Sequence, residues 1–200
     1  MRFLIGANLK MNKTLEELKA YLEELSSIYR ENDAIELMIA PTPAGLETAA
    51  RALLGTSIHL GAQNMHSKDS GAYTGETSRL ILGELGCTYV ILGHSERRTL
   101  FGETDTMIAE KVSAAIAHGI RPILCIGETL EEKESGQTKS ILRTQLSLII
   151  GHIPMESIDI AYEPLWSIGT GLTPTTDEIA DIHTYISDLI ESPTTRIIYG

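Results

Sequence analysis

Residues 89–126 read YVILGHSERRTLFGETDTMIAEKVSAAIAHGIRPILCI. Two apolar, β-rich runs, Tyr89–Leu92 and Arg121–Ile126, enclose a segment with helical periodicity at about Thr104–His118. Strand, helix, strand in that order is a crossover unit, the connection that joins neighbouring parallel strands. The same alternation continues in both directions. Upstream lie the runs Arg2–Ala7, Ile35–Ala40 and Ser57–Ala62, and downstream lie Ile158–Tyr162 and Thr195–Tyr199, which makes seven predicted strands. Each is continuously apolar instead of alternating, the pattern of a strand covered on both faces, and two-sided cover means a parallel sheet flanked by helices.

The intervening helices carry start signals. Leu15, Leu18, Leu22, Leu25 and Tyr29 recur at helical spacing behind a Thr14/Glu17 capping box. A second box, Thr175/Glu178, opens a segment in which Ile179, Ile182, Ile186 and Leu189 repeat the period. Further helices are expected at about Pro43–Leu54, Ser78–Leu85 and Thr138–Ile150. With no linker, solenoid repeat or low-complexity stretch, residues 1–200 read as a single domain. Alternation of this length gives either a doubly wound open sheet or a (βα) barrel. A doubly wound nucleotide fold wants a glycine fingerprint after its first strand, and GANLKMN at 6–12 supplies none. Polar residues instead collect past many strand ends: Asn8 and Lys10, Gln63 and Asn64, His94 and Glu96, Glu128, Glu163. Functional groups drawn from the ends of several strands are the habit of a barrel.

Composition narrows the partners. The chain carries 16 Lys and Arg against 27 Asp and Glu, a formal charge of −11, and 42% hydrophobic residues. That is an ordinary globular balance. An acidic chain without a basic block argues against nucleic acid and anionic membranes, which are gripped by clustered cations. No window is long and apolar enough for a membrane span, and MRFLIGANLKMNK reaches polar residues too early for a signal peptide, so the cytoplasm is expected. Cys87 and Cys125 are too few for a disulfide framework and lie at no metal-ligand spacing, so reduced thiols and no metal are expected.

Of six histidines, His59, His118, His152 and His183 fall within or at the ends of elements and His66 in a polar loop, where an ordinary structural role suffices. His94 differs. It ends the run YVILG and precedes SERR, which places an imidazole at a strand mouth beside a helix N-terminus, where the helix dipole disfavours the imidazolium. Glu163 ends the strand DIAY and leads into PLWSIGTGLTP, a proline-led, glycine-bearing loop with the character of a hinged lid. A lid that excludes water strengthens a carboxylate as a base. A carboxylate, a neutral imidazole and the Lys10 ammonium at strand mouths describe proton abstraction beside a carbonyl, with two groups stabilising the enolate oxygens.

The motifs GANLKMN (6–12), GAQNMHSKDSGAYTGETS (61–78), VILGHSERR (90–98), CIGE (125–128), AYEPLWSIGTG (161–171) and RIIYG (196–200) together resemble the triosephosphate isomerase family over essentially the whole chain. The resemblance implies interconversion of glyceraldehyde 3-phosphate and dihydroxyacetone phosphate through an enediolate, without metal or organic cofactor. The roles that follow are inherited from the family, not read from spacing. Glu163 shuttles the proton, and His94 polarises the carbonyl. Lys10 balances the charge of enediolate and phosphate, Asn8 positions the substrate, and Glu96 lies in the same pocket. The lid spans 164–173 and includes Pro164, Trp166, Ile168, Gly169, Thr170 and Gly171, with the Gly169 N–H meeting the phosphate. Thr74 at a loop tip, with Met11 in its socket, implies a homodimer and leaves room for a larger assembly.

The resemblance also has departures. Leu9 stands where the family usually has Trp, and Leu172 where Lys is frequent. The sequence stops at Gly200, inside a motif that normally reads YGGS, whereas a complete barrel takes about 250 residues. The expectation is therefore an incomplete (βα)8 barrel of seven strands, lacking the last helix, strand and helix and part of the phosphate grip, with reduced activity. The competing expectation is a non-catalytic or split-barrel protein that keeps the fold for assembly or ligand binding.

Overall fold

In the computed structural model, residues 2–168 and 170–200 are described. They divide into two compact units, Met1–Leu92 with Lys111–Pro122, and Gly93–Glu110 with Ile123–Gly200.

The first unit holds β1 (Phe3–Asn8), α1 (Leu15–Ile28), β2 (Ile35–Ala40), a 3-10 turn at Pro43–Gly45, α2 (Leu46–Ala52), β3 (His59–Ala62), α3 (Arg79–Glu84) and β4 (Tyr89–Leu92). β1 and β2 run parallel in register from Phe3 opposite Ile35 to Asn8 opposite Ala40. β2 continues to β3 at Met38 opposite His59, and β3 to β4 at Gly61 opposite Tyr89. The capping box expected for α1 is formed: the Glu17 N–H donates to Thr14 Oγ1, and the Thr14 N–H to the Glu17 carboxylate at 2.7 Å. Leu18 and Leu22 are the buried face of that helix.

The second unit begins with α4 (Ser95–Phe101). From there α5 (Asp105–Ile116) runs into the first unit, and β5 (Arg121–Ile126), α6 (Leu130–Glu134), α7 (Thr138–Leu146), β6 (Asp159–Tyr162), α8 (Thr176–Ile190) and β7 (Arg196–Tyr199) follow, with 3-10 turns at Met155–Ser157 and Leu165–Ser167. β5 pairs in parallel with β6 from Ile123 opposite Asp159 to Ile126 opposite Tyr162, and β6 with β7 from Asp159 opposite Arg196 to Tyr162 opposite Tyr199. The second predicted capping box, Thr175 with Glu178, opens α8.

Strand order is chain order from β1 to β7. A doubly wound sheet reverses its order at a switch point; this one does not, and the architecture is an incomplete (βα)8 barrel of the α/β class. All seven predicted strands are present, three with the predicted ends and four with ends shifted by a residue or two. β4 and β6 are buried along their whole length, and β5 from Pro122 onward, as two-sided cover requires. β1 departs from that pattern, since Phe3 and Ile5 on it are exposed. Two further differences are local. The segment expected as one helix at Pro43–Leu54 is a 3-10 turn, Pro43–Gly45, followed by α2, with Gly45 at the junction as the N-cap of α2. α6 was not foreseen, although its capping box, Thr129 with Glu132, stands in the sequence.

Direction along the strands separates two kinds of chemistry. At the start of β6 the buried Asp159 accepts two bonds from Arg196 at the start of β7, at 2.8 and 2.6 Å, a bidentate pair that fixes the register. At the other end of β6 comes Glu163. Among the described residues, no helix is long and apolar enough to cross a membrane.

Candidate active site

In the second unit the backbone delivers Glu163 directly after β6, where its N–H donates to the Ile126 carbonyl at 2.8 Å. The neighbouring Gly127 has no room for a side chain, since a Cβ there would lie 1.8 Å from the Glu163 carbonyl oxygen. Glu163 is 8% exposed, and its carboxylate is caught from three directions. The Cys125 thiol donates to Oε1 at 3.2 Å, the Ser95 N–H points to Oε2 at 3.4 Å, and His94 Nε2 lies 3.6 Å from Oε1. Burial, reinforced by the facing Glu163 carboxylate, pushes the Cys125 thiol well above its ordinary range, so it stays protonated and remains a donor.

His94 caps α4, and its Nδ1 accepts the Glu96 N–H at 3.2 Å. A ring nitrogen that accepts carries no proton. The imidazole is therefore neutral with its proton on Nε2, the nitrogen that faces Glu163. The Glu96 carboxylate comes no nearer to Nδ1 than 3.8 Å and is 44% exposed. Gly93 turns the chain into this corner at φ 72°, and Arg98 holds the turn. Its Nε donates to the Gly93 carbonyl at 2.7 Å, its Nη2 to the Cys125 carbonyl at 3.3 Å and its Nη1 to Asp105 at 2.6 Å.

The loop after Glu163 is anchored at its start. Trp166 is buried, and its indole N–H donates to Glu128 at 2.9 Å. Tyr162 donates its hydroxyl to the same carboxylate at 3.1 and 3.2 Å, and burial together with Glu128 pushes that phenol up, which keeps it a donor. The Lys133 ammonium lies 3.4 Å over the Trp166 ring centroid and 3.0 Å from Glu178. The Ser167 hydroxyl donates to the Pro164 carbonyl at 2.8 Å, the Ile168 N–H to the Leu165 carbonyl at 3.3 Å and the Thr170 hydroxyl to the Trp166 carbonyl at 2.6 Å. Gly171 follows at φ 79°. Gly169 lies outside the described residues.

The first unit carries the remaining candidates. Asn8 ends β1, and its Oδ1 accepts the Lys10 N–H at 2.9 Å. Lys10 has φ 49°, in the left-handed region. Met11 is 92% exposed, and Thr74 is exposed in a loop whose base is closed by the His66 N–H donating to Thr77 and by Arg79 paired with Asp69. Three contributors to the Glu163 environment, Cys125, Ser95 and Gly127, were not singled out by sequence reading. Gln63 was noted only as a strand-end residue, yet its amide reaches the Lys10 carbonyl.

Comparison with known proteins decides the family. The triosephosphate isomerase sequence model matches residues 3–200. The chain belongs to the triosephosphate isomerase family. A triosephosphate isomerase of Aquifex aeolicus (strain VF5) is 45% identical over 100% of this chain and 84% of its own length. That of Clostridium acetobutylicum is 47% identical over 88% of this chain and 71% of its own length. A third relative of the same name, from Alkaliphilus metalliredigens (strain QYMF), is 42% identical over 98% of this chain and 83% of its own length. Members of this family are intramolecular isomerases.

Proposed function

We propose that the chain interconverts D-glyceraldehyde 3-phosphate and dihydroxyacetone phosphate. The observation that carries the reading is the pair His94 and Glu163: a neutral imidazole bearing its proton on Nε2 beside a buried carboxylate at 3.6 Å. Glu163 takes the proton from the carbon next to the carbonyl. The electron pair of that C–H bond moves into the new carbon–carbon double bond, and the carbonyl electrons move onto oxygen, giving an enediolate. His94 gives its Nε2 proton to the former carbonyl oxygen and takes one back from the neighbouring hydroxyl, so the ring ends neutral, and Glu163 returns its proton to the other carbon as the new carbonyl forms beside it. Lys10 balances the negative charge of enediolate and phosphate, Asn8 orients the substrate, Glu96 stands beside His94, and the segment 164–173 closes to keep water away.

The test is Glu163→Gln, which keeps shape and loses basicity. Turnover is expected to fall by about a thousandfold or more with unchanged circular dichroism. Retention of more than about a tenth of the parent rate would move the base elsewhere, with Glu96 the next carboxylate.

The reading extends to assembly and place. The exposed Thr74 loop and the bare Met11 side chain support a homodimer, and light scattering is expected to return at least twice the 21.8 kDa chain mass. The cytoplasm, where two buried free thiols stay reduced, suits both the cysteines and the chemistry.

A further inference from the structure

We infer that Gln63 is the positioning residue for Lys10: a single side-chain amide that holds the Lys10 peptide in its left-handed conformation. The inference rests on the functional reading in one respect only, that Lys10 contacts substrate.

Lysine is a poor residue for φ 49°. A non-glycine residue in the left-handed region costs about 1–2 kcal/mol, and Lys lacks the short polar side chain that lets Asn or Asp offset this locally. Such a conformation persists only where the surroundings over-determine it. Here they do so on both sides of the residue. On the amino side, the Lys10 N–H is bound by Asn8 Oδ1 at 2.9 Å. On the carboxyl side, Gln63 Nε2 donates to the Lys10 carbonyl at 2.9 Å.

The same nitrogen also donates to the Ala40 carbonyl at 2.9 Å, and that carbonyl accepts the Leu9 N–H at 3.0 Å. Gln63 stands one residue beyond β3, Ala40 is the last residue of β2, and Lys10 follows β1. One amide therefore ties three successive strand ends and uses both of its N–H bonds to do so. Its nitrogen is in effect a fixed point against which the turn carrying Lys10 is registered. If the Lys10 carbonyl is released, the peptide can relax toward negative φ. The Cα–Cβ bond then swings and the ammonium moves, although no charge has been removed.

The experiment compares the parent with Gln63→Met, which keeps length without a donor, and Gln63→His, which returns one N–H at similar reach. Gln63→Met is expected to lower kcat/KM for glyceraldehyde 3-phosphate by about ten- to a hundredfold, the scale of a misplaced group, with a raised KM. Gln63→His is expected to recover part of that loss. Independently of turnover, the Lys10 amide should exchange with deuterium faster in Gln63→Met than in the parent, read by NMR on lysine-labelled protein. If Gln63→Met melts earlier but keeps the parent kcat and KM, or if Lys10 exchange is unchanged, Gln63 is merely structural and the inference is overturned. Should Gln63→Met fail to fold, Gln63→His carries the same readouts. A parent without isomerase activity would defeat the functional reading, while the exchange measurement would still decide what Gln63 does.

Discussion

Lys10 and Glu163 are held by opposite means. Lys10 is placed through its backbone: a disfavoured φ is enforced by two side-chain amides, those of Asn8 and Gln63. Glu163 is placed through its side chain, since an ordinary strand end delivers it and a thiol, a backbone N–H and an imidazole surround the carboxylate. The difference follows from the groups. An ammonium is strongly hydrated and costly to bury, so control has to come from where its stem begins. A carboxylate accepts hydrogen bonds at both of its oxygens, so control can sit at the reacting atoms themselves.

The largest effect that would break this comparison is expected at Gly127. A methyl group there would lie 1.8 Å from the Glu163 carbonyl oxygen, and backbone cannot yield as a flexible side chain would. Gly127→Ala is expected to cost about a hundredfold or more in turnover, the scale of a misplaced catalytic group, or to leave little soluble protein. Initial rates and soluble yield measure it, and parent-like values for both would show that Glu163 does not depend on the close approach of its strand.

A second expectation sets one buried thiol from each unit against alkali. Burial pushes Cys87 in the first unit from its ordinary 9.0 to about 12, and Cys125 in the second unit moves the same way with the Glu163 carboxylate adding to the shift. A group whose value is raised in the folded state gives its full stability below pH 9. That stability is lost as pH climbs from 9 toward the folded-state value, by about 1.4 kcal/mol per pH unit for each thiol. Denaturant melts at pH 8 to 11 should show the decline, and Cys87→Ala should make it shallower. An unchanged slope in that variant would place the alkaline loss in other groups.

The smallest effect sharpens the Lys10 side. Glycine adopts φ 49° freely and alanine does not, so Lys10→Gly should be more stable than Lys10→Ala by about 1 kcal/mol in urea titrations, with both variants equally deprived of the ammonium. If alanine is the more stable of the two, the turn is not under strain.

Much of this architecture is legible in the chain, for physical reasons. Buried parallel strands must be continuously apolar, so β4, β5 and β6 stand out. A helix needs its first N–H groups satisfied, so Thr14 with Glu17 and Thr175 with Glu178 mark the starts of α1 and α8. The same signal at Thr129 and Glu132 went unread because α6 has only five residues and no apolar period to confirm it. His94 and Glu163 are conspicuous because each interrupts an apolar run at a strand end. Cys125 is not. It looks like any small core residue, and its role as a donor exists only because strand pairing sets β5 beside β6. Gln63 is silent for a similar reason, as 53 residues separate it from the carbonyl it holds.

Trp166 is the only tryptophan in the chain, and its surroundings are unusually specific: a buried carboxylate on the indole N–H and an ammonium on the ring face. A charge held close to an indole shifts its emission colour, and with excitation on the red side of the tyrosine band the light this protein emits originates from one spot at the root of the 164–173 segment. An untagged sample in a stopped-flow fluorimeter would thus follow that segment directly, with Lys133→Met changing the hue and leaving the emitter in place.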